Sequence, residues 1–193
     1  MTTDPNKKTI KLRTSDDKLV TADLALVSYS SLIRNILGDC SDIPDELPVA
    51  NVTASVLEKV LEYLEHHHKL GDLPTPEQEE AVLREEELDD GAQYARIERL
   101  RQSVLSDWDC SFLLNGMPSD QGIDQHHTVD LMLAANFLDI RPLLALGTKA
   151  MAAEMDKCKT AAEVRSKFGL KKDLTDEQEA EIMKEFAWAD YRP

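Results

Sequence analysis

The spacing of hydrophobic and polar residues changes period twice in the first third of the chain. Thr9-Ile10-Lys11-Leu12-Arg13 alternates, and Lys18-Leu19-Val20-Thr21-Ala22 follows after the polar Thr14-Ser15-Asp16-Asp17, which predicts a hairpin. From Asp23 onward the spacing is helical. Leu32, Ile33, Ile36 and Leu37 share a face, and Gly38 suits a stop. An acidic loop from Asp39 to Glu46 leads to a short strand at Leu47-Pro48-Val49. Asn51-Val52-Thr53 then offers a cap for a helix lined by Val56, Leu57, Val60, Leu61 and Leu64. Strands and helices thus share this region, an α/β pattern.

The least polar run lies further on, from Leu131 to Leu144. Val129, Met132, Leu133, Asn136 and Phe137 fall on one helical face, Asp139-Ile140-Arg141 breaks the period, and Pro142 suits the first turn of a second helix. This corner is expected to organise the core, with Met132, Leu133 and Leu143 inside. Between the two apolar regions, residues 70–106 read as an insertion. A heavily acidic run from Glu77 to Asp90 is followed by a short amphipathic stretch, and Asp107-Trp108-Asp109-Cys110-Ser111-Phe112-Leu113 returns the chain to the core. After the helix that begins at Pro142, Thr160-Ala161-Ala162-Glu163 and Thr175-Asp176-Glu177-Gln178 have the form of capping boxes, and Gly169 suits a stop between them. These last helices are too short to bury Phe168, Phe186 and Trp188 against one another, so a partner surface is expected to cover them.

Charge narrows the partners. The chain has 22 Lys and Arg against 37 Asp and Glu, a formal charge of -15, which repels nucleic acid and anionic lipid alike. No apolar run has the roughly 20 residues of a membrane span, and the N-terminus lacks the apolar segment of a secretory signal. Cys40, Cys110 and Cys158 are odd in number and far apart, as expected of buried or half-buried thiols in a reducing compartment, cytoplasm and nucleus.

Candidate chemistry is sparse. His66-His67-His68 invites a metal reading, but neighbouring helical residues point about 100° apart, so a solvated helix end is the better expectation. His126-His127 is read the same way. The chain has no glycine loop for phosphate, no G-x-S-x-G, and no Cys near an assignable His and Asn. Neither a catalytic residue, a cofactor nor a metal is expected.

The run L-A-A-N-F-L-D-I-R-P-L-L resembles the signature of the Skp-type adaptors of SCF (Skp–cullin–F-box) ubiquitin ligases. The similarity continues, in the same order, through Thr9–Leu12, Leu47–Val52, Glu65–Lys69, Asp107–Asp109, Lys159–Arg165, Lys171–Thr175 and Glu185–Trp188. It implies a BTB/POZ-type α/β fold followed by C-terminal helices that hold F-box proteins, and a non-catalytic adaptor that joins them to a cullin scaffold. By position, Asn136 and Phe137 resemble the cullin-facing pair. Leu146, Ala150, Val164, Phe168, Leu170, Ile182, Phe186 and Trp188 fall on the helices that resemble the F-box clamp, though some of these positions also suit internal packing. The corresponding division is 1–69 and 107–158 for the BTB/POZ-like domain, 70–106 for the insertion, and 159–193 for the F-box-binding helices.

The segments Leu70–Ser106 and Leu114–Gln125 are longer than the resemblance leads one to expect, as in a divergent paralogue. The lengthened loop ahead of the cullin-facing helix motivates an alternative, a BTB-type scaffold subunit that binds F-box proteins without a cullin. Exposed apolar surface also leaves room for weak self-association of the free chain. An unrelated hydrolase is a distant third reading.

Overall fold

Thr9–Thr14 forms strand β1 with Ile10, Leu12 and Thr14 buried and Thr9, Lys11 and Arg13 turned to water, the period-2 consequence of the pleat. The hairpin is present. β2 (Leu19–Asp23) pairs antiparallel with β1, setting Ile10 opposite Ala22 and Leu12 opposite Val20. β3 (Glu46–Val49) lies parallel on the other side, with Leu12 opposite Leu47, so the sheet order is β2-β1-β3. The computed structural model describes residues 8–40, 44–75, 78, 105–116 and 123–186. Most of the insertion expected at 70–106, much of the long loop before Gln125, and Trp188 lie outside these.

Helices α1 (Leu24–Val27) and α2 (Ser31–Asp39) start at side-chain caps, Asp23 accepting from the Ala25 N–H and Ser30 from the Ile33 N–H. Gly38 is not the stop it resembles: α2 runs on to Asp39 and ends where Cys40 turns extended. Helix α3 (Ala54–Leu70) follows Thr53, whose hydroxyl makes no cap bond. The Ala54 N–H instead donates to Asp16 Oδ1 at 2.8 Å, a carboxylate 38 residues earlier in the β1–β2 turn. Bonds from Thr14 and Lys18, then from Ala54, hold that carboxyl well below the usual carboxylate range.

The His66–His68 run is not a solvated helix end. His67 is buried, at 8% exposure, with Nδ1 3.0 Å from Asp72 Oδ1 and Nε2 3.0 Å from Asp109 Oδ1. His66 stacks on Trp108 at 3.7 Å between ring centroids, and His68 Nδ1 meets the Tyr29 hydroxyl at 3.0 Å. Each imidazole therefore has a separate structural partner. Among the described residues, no group of three or more His, Cys, Asp or Glu side chains is arranged to hold a metal ion.

Asp109 belongs to α4 (Asp107–Leu114), where Ser106 and Asp109 form a reciprocal capping box. Phe112 and Leu113 of this helix are buried, so the chain does rejoin the core here. His127 also departs from the solvated reading, since burial lowers its pKa and leaves Nε2 without a hydrogen bond. Cys40 and Cys110 are exposed and Cys158 half-buried, which corrects the expectation of three covered thiols.

α5 (Gln125–Leu138) and α6 (Arg141–Asp156) make the expected corner. Asp139 takes the left-handed conformation at φ 52°, and the Ile140 N–H donates back to Ala135 O at 2.8 Å. The Ser30 hydroxyl donates to Leu138 O, fastening the corner to the start of α2. Leu131, Leu138, Ile140 and Leu143 are fully buried, each worth roughly 1.5–3 kcal/mol of burial.

Close approach of these helices depends on Gly147: a Cβ there would lie 2.4 Å from Met132 Cγ. Gly147→Ala is expected to cost roughly 1–3 kcal/mol by overpacking, despite alanine's better helix propensity. Urea unfolding measures it, and an unchanged or raised midpoint would refute the contact.

The chain divides into two units, Met1–Ala153 and Glu154–Pro193. The second contains α7 (Ala161–Lys167) and α8 (Asp176–Glu185). Thr175 and Gln178 form the anticipated capping box. At Thr160 only half of one forms, because the Glu163 carboxylate accepts from the Lys159 N–H instead. Gly169, at φ 62°, supplies the expected stop to α7, with the Leu170 N–H donating to Arg165 O at 2.9 Å.

Candidate partner-docking surfaces

In the first unit, α5 is apolar on both sides, so periodicity alone cannot say which side faces inward. The inward side is Thr128, Leu131, Ala134, Ala135 and Leu138, whose small members let neighbouring elements approach. The stripe expected to be core is turned the other way. Leu133 is 64% exposed, which corrects its placement inside, and Met132 is half-buried over Gly147. Val129 and Asn136 are exposed beside Leu133, at i−4 and i+3 along the helix. Phe137 is half-buried and packs against the core. Of the two positions singled out, Asn136 therefore presents its side chain outward, while Phe137 supports the surface from its edge. Leucine on an apolar stripe normally goes to the core, and the spacing alone places Leu133 there. The signal that the stripe faces outward was the Asn within it.

Leu146 and Ala150, placed with the F-box clamp on the sequence, are buried core side chains of α6. They brace that helix from beneath and present nothing to a partner, so their expected role is corrected to packing.

The second unit is built differently. No residue of α7 or α8 is buried. Val164 and Phe168 are half-buried, Leu170 is 57% exposed and Phe186 47% exposed, with Ile182, Leu174 and Met183 also exposed. What ties the helices is charge. Arg165 pairs with Glu179, and Lys172 with Asp176 and Glu179. Lys157 and Lys167 both reach the buried Glu154. Burial raises the Glu154 pKa, but hydrogen bonds and charge from the two lysines outweigh it and hold the carboxyl below its usual value. The exposed Lys172–Asp176 pair contributes little, and the covered pairs lose desolvation energy against their attraction, so this charge network orients the helices without supplying an apolar core. The geometry leaves a polar frame carrying a row of exposed apolar groups, which is how a surface meant to be covered by another chain is constructed.

Comparison with known proteins bears on both units. Residues 8–69 match the model of the Skp1 family, tetramerisation domain, and residues 141–189 that of the Skp1 family, dimerisation domain. The chain is 34% identical over 184 residues to Suppressor of kinetochore protein 1 of Schizosaccharomyces pombe, covering 95% of this chain and 98% of that protein. It is 34% identical over 181 residues to the E3 ubiquitin ligase complex SCF subunit sconC of Arthroderma benhamiae, covering 94% of each. The SCF ubiquitin ligase complex protein SKP1a of Dictyostelium discoideum is likewise 34% identical over 181 residues, covering 94% of this chain and 95% of its own length. With an apolar-faced BTB-like unit, a tail of capped helices and similarity along nearly its whole length, the chain belongs to the Skp1 family.

Proposed function

We propose that the chain is a non-catalytic adaptor of an SCF-type ubiquitin ligase, joining a cullin scaffold to F-box substrate receptors in the cytoplasm and nucleus. The observation that carries this reading is the presence of two separate exposed apolar surfaces. One is the Val129–Leu133–Asn136 stripe, the other the Leu170, Ile182 and Phe186 group. The first is assigned to the cullin, with Phe137 at its edge. The second is assigned to the F-box, together with Val164, Phe168 and, beyond the described residues, Trp188. The adaptor acts by geometry: two simultaneous contacts raise the effective concentration of a receptor-bound substrate at the ligase, with no bond made or broken on this chain.

Co-purification tests it. The full chain is expected to retain both a cullin N-terminal fragment and an F-box domain, and a chain ending before Thr175 is expected to keep the cullin and lose the F-box. Retention of neither by the full chain would overturn the proposal. Retention of the F-box alone would favour the scaffold without a cullin.

A further inference from the structure

Strand β2 is an edge strand, paired with β1 on one side only among the described residues. The hairpin bond from the Thr14 N–H to Lys18 O and the bond from the Leu24 N–H to Lys8 O fix the phase of the ladder. Hydrogen-bonded and non-hydrogen-bonded pairs alternate in an antiparallel pair, so Val20 and Ala22 turn their backbone groups toward β1. Leu19 and Thr21 turn theirs outward, while Asp23 ends the strand as the N-cap of α1. The outer side of β2 is thus a row of backbone donors and acceptors with strand spacing.

This edge is one wall of a groove of about 510 Å³ whose other wall is α3. Its apolar floor includes Leu26 and Leu61, and its α3 rim carries Glu58, Glu62 and Glu65, with no Lys or Arg among the lining residues. These three glutamates lie at i, i+4 and i+7 on one face of α3. Glu62 pairs with Lys59 and Glu65 with Lys69, while Glu58 lies within electrostatic reach of Lys18 without an ion pair closer than 4 Å among the described residues. The groove uses residues that belong to neither docking surface above.

We propose that this groove takes an extended basic peptide of another protein, which joins the sheet as a fourth strand beside β2. The outward backbone groups of Leu19 and Thr21 supply the pairing. Alternate side chains of the added strand face α3, where Lys or Arg stems lie along Leu61 and their charged ends reach the glutamate rim. The acidic rim disfavours an acidic strand at the same place. An edge strand invites unwanted pairing, and here the charge beside it selects what pairs.

The test uses the full chain and a fluorescent, end-blocked octapeptide alternating lysine and valine. The same peptide with glutamate for lysine and the same peptide with alternate amides N-methylated serve as controls. Saturable binding of the basic peptide alone is expected, weakening as salt rises, with amide shifts at residues 19–23 in the NMR spectrum. Thr21→Pro removes an outward N–H that no ladder bond uses, a position where an edge strand tolerates proline. It is expected to weaken binding at least tenfold, and Glu58→Lys with Glu62→Lys to do the same. Circular dichroism checks the fold of both variants, and the N-methylated peptide makes the backbone test on the unaltered chain. No saturable binding up to millimolar peptide overturns the proposal. So does equal binding of the N-methylated peptide, which would mean charge attraction alone. Binding unchanged by the glutamate reversals overturns the basic occupant.

Discussion

His67→Ala is expected to lower the stability of the folded chain by about 3 kcal/mol, the cost of leaving a buried carboxylate without its hydrogen bond together with the cavity left by the ring. The imidazole tilts over Tyr63 at 4.4 Å and meets Trp108 edge-on at 5.5 Å between centroids, so its removal opens space in an aromatic cluster. It also strips Asp109 Oδ1 of its partner in a place where that side chain is 12% exposed, while Oδ2 keeps only the Ser106 amide and hydroxyl. His68 makes a useful contrast. Its bond to Tyr29 is exposed, and His68→Ala is expected to cost under about 1 kcal/mol. Urea midpoints measured at a common slope read the difference. Equal midpoints for the two variants would show that the buried clamp contributes nothing special. Adding Asp109→Leu to His67→Ala should recover part of the loss, because the stranded carboxylate is then gone.

The second large effect concerns binding. Under the proposed function, Leu133→Arg with Asn136→Lys is expected to weaken cullin binding at least 100-fold, about 2.7 kcal/mol. F-box binding should be unchanged. Both side chains point to solvent, so the free chain accommodates the charges, whereas a bound partner would have to desolvate them without a counter-charge. The structure favours this pair over substitution at Phe137, which packs against the core and would confound binding with unfolding. Titration of a cullin fragment onto the variant, with thermal unfolding in parallel, separates the two. Cullin affinity within threefold of the unaltered chain would remove the α5 stripe from the assignment.

Much of the fold was legible because it follows local periods. The alternation of Ile10 and Leu12 gave β1, and the hydroxyl–carboxamide spacing of Thr175 and Gln178 gave the start of α8. What stayed hidden depends on contacts distant in sequence. The cap of α3 comes from Asp16, which no spacing rule links to Ala54. His67 lies on the buried side of α3 at the position after Tyr63 and Leu64 by helical turn, yet its polarity argued for solvent until Asp72 and Asp109 were seen to meet it. On α5 the period was right and the direction wrong, since a helix apolar all round does not declare its inner face. The docking residues divide along the same line. Exposure of Asn136, Leu170, Ile182 and Phe186 fits a surface role, while Leu146 and Ala150 carry the same apolar character into the core.

The His67 contact has a meaning for chain length. Asp72 lies just before residues 76–104 and Asp109 just after them, and one imidazole touches both. The two ends of that stretch are therefore fixed by the folded unit, whatever separates them. Closing a flexible loop costs only about 0.6 kcal/mol more for each doubling of its length. A lineage can lengthen, shorten or rewrite the sequence between these anchors at little thermodynamic expense, and the clasp makes this the natural port at which the family's architecture accepts new sequence.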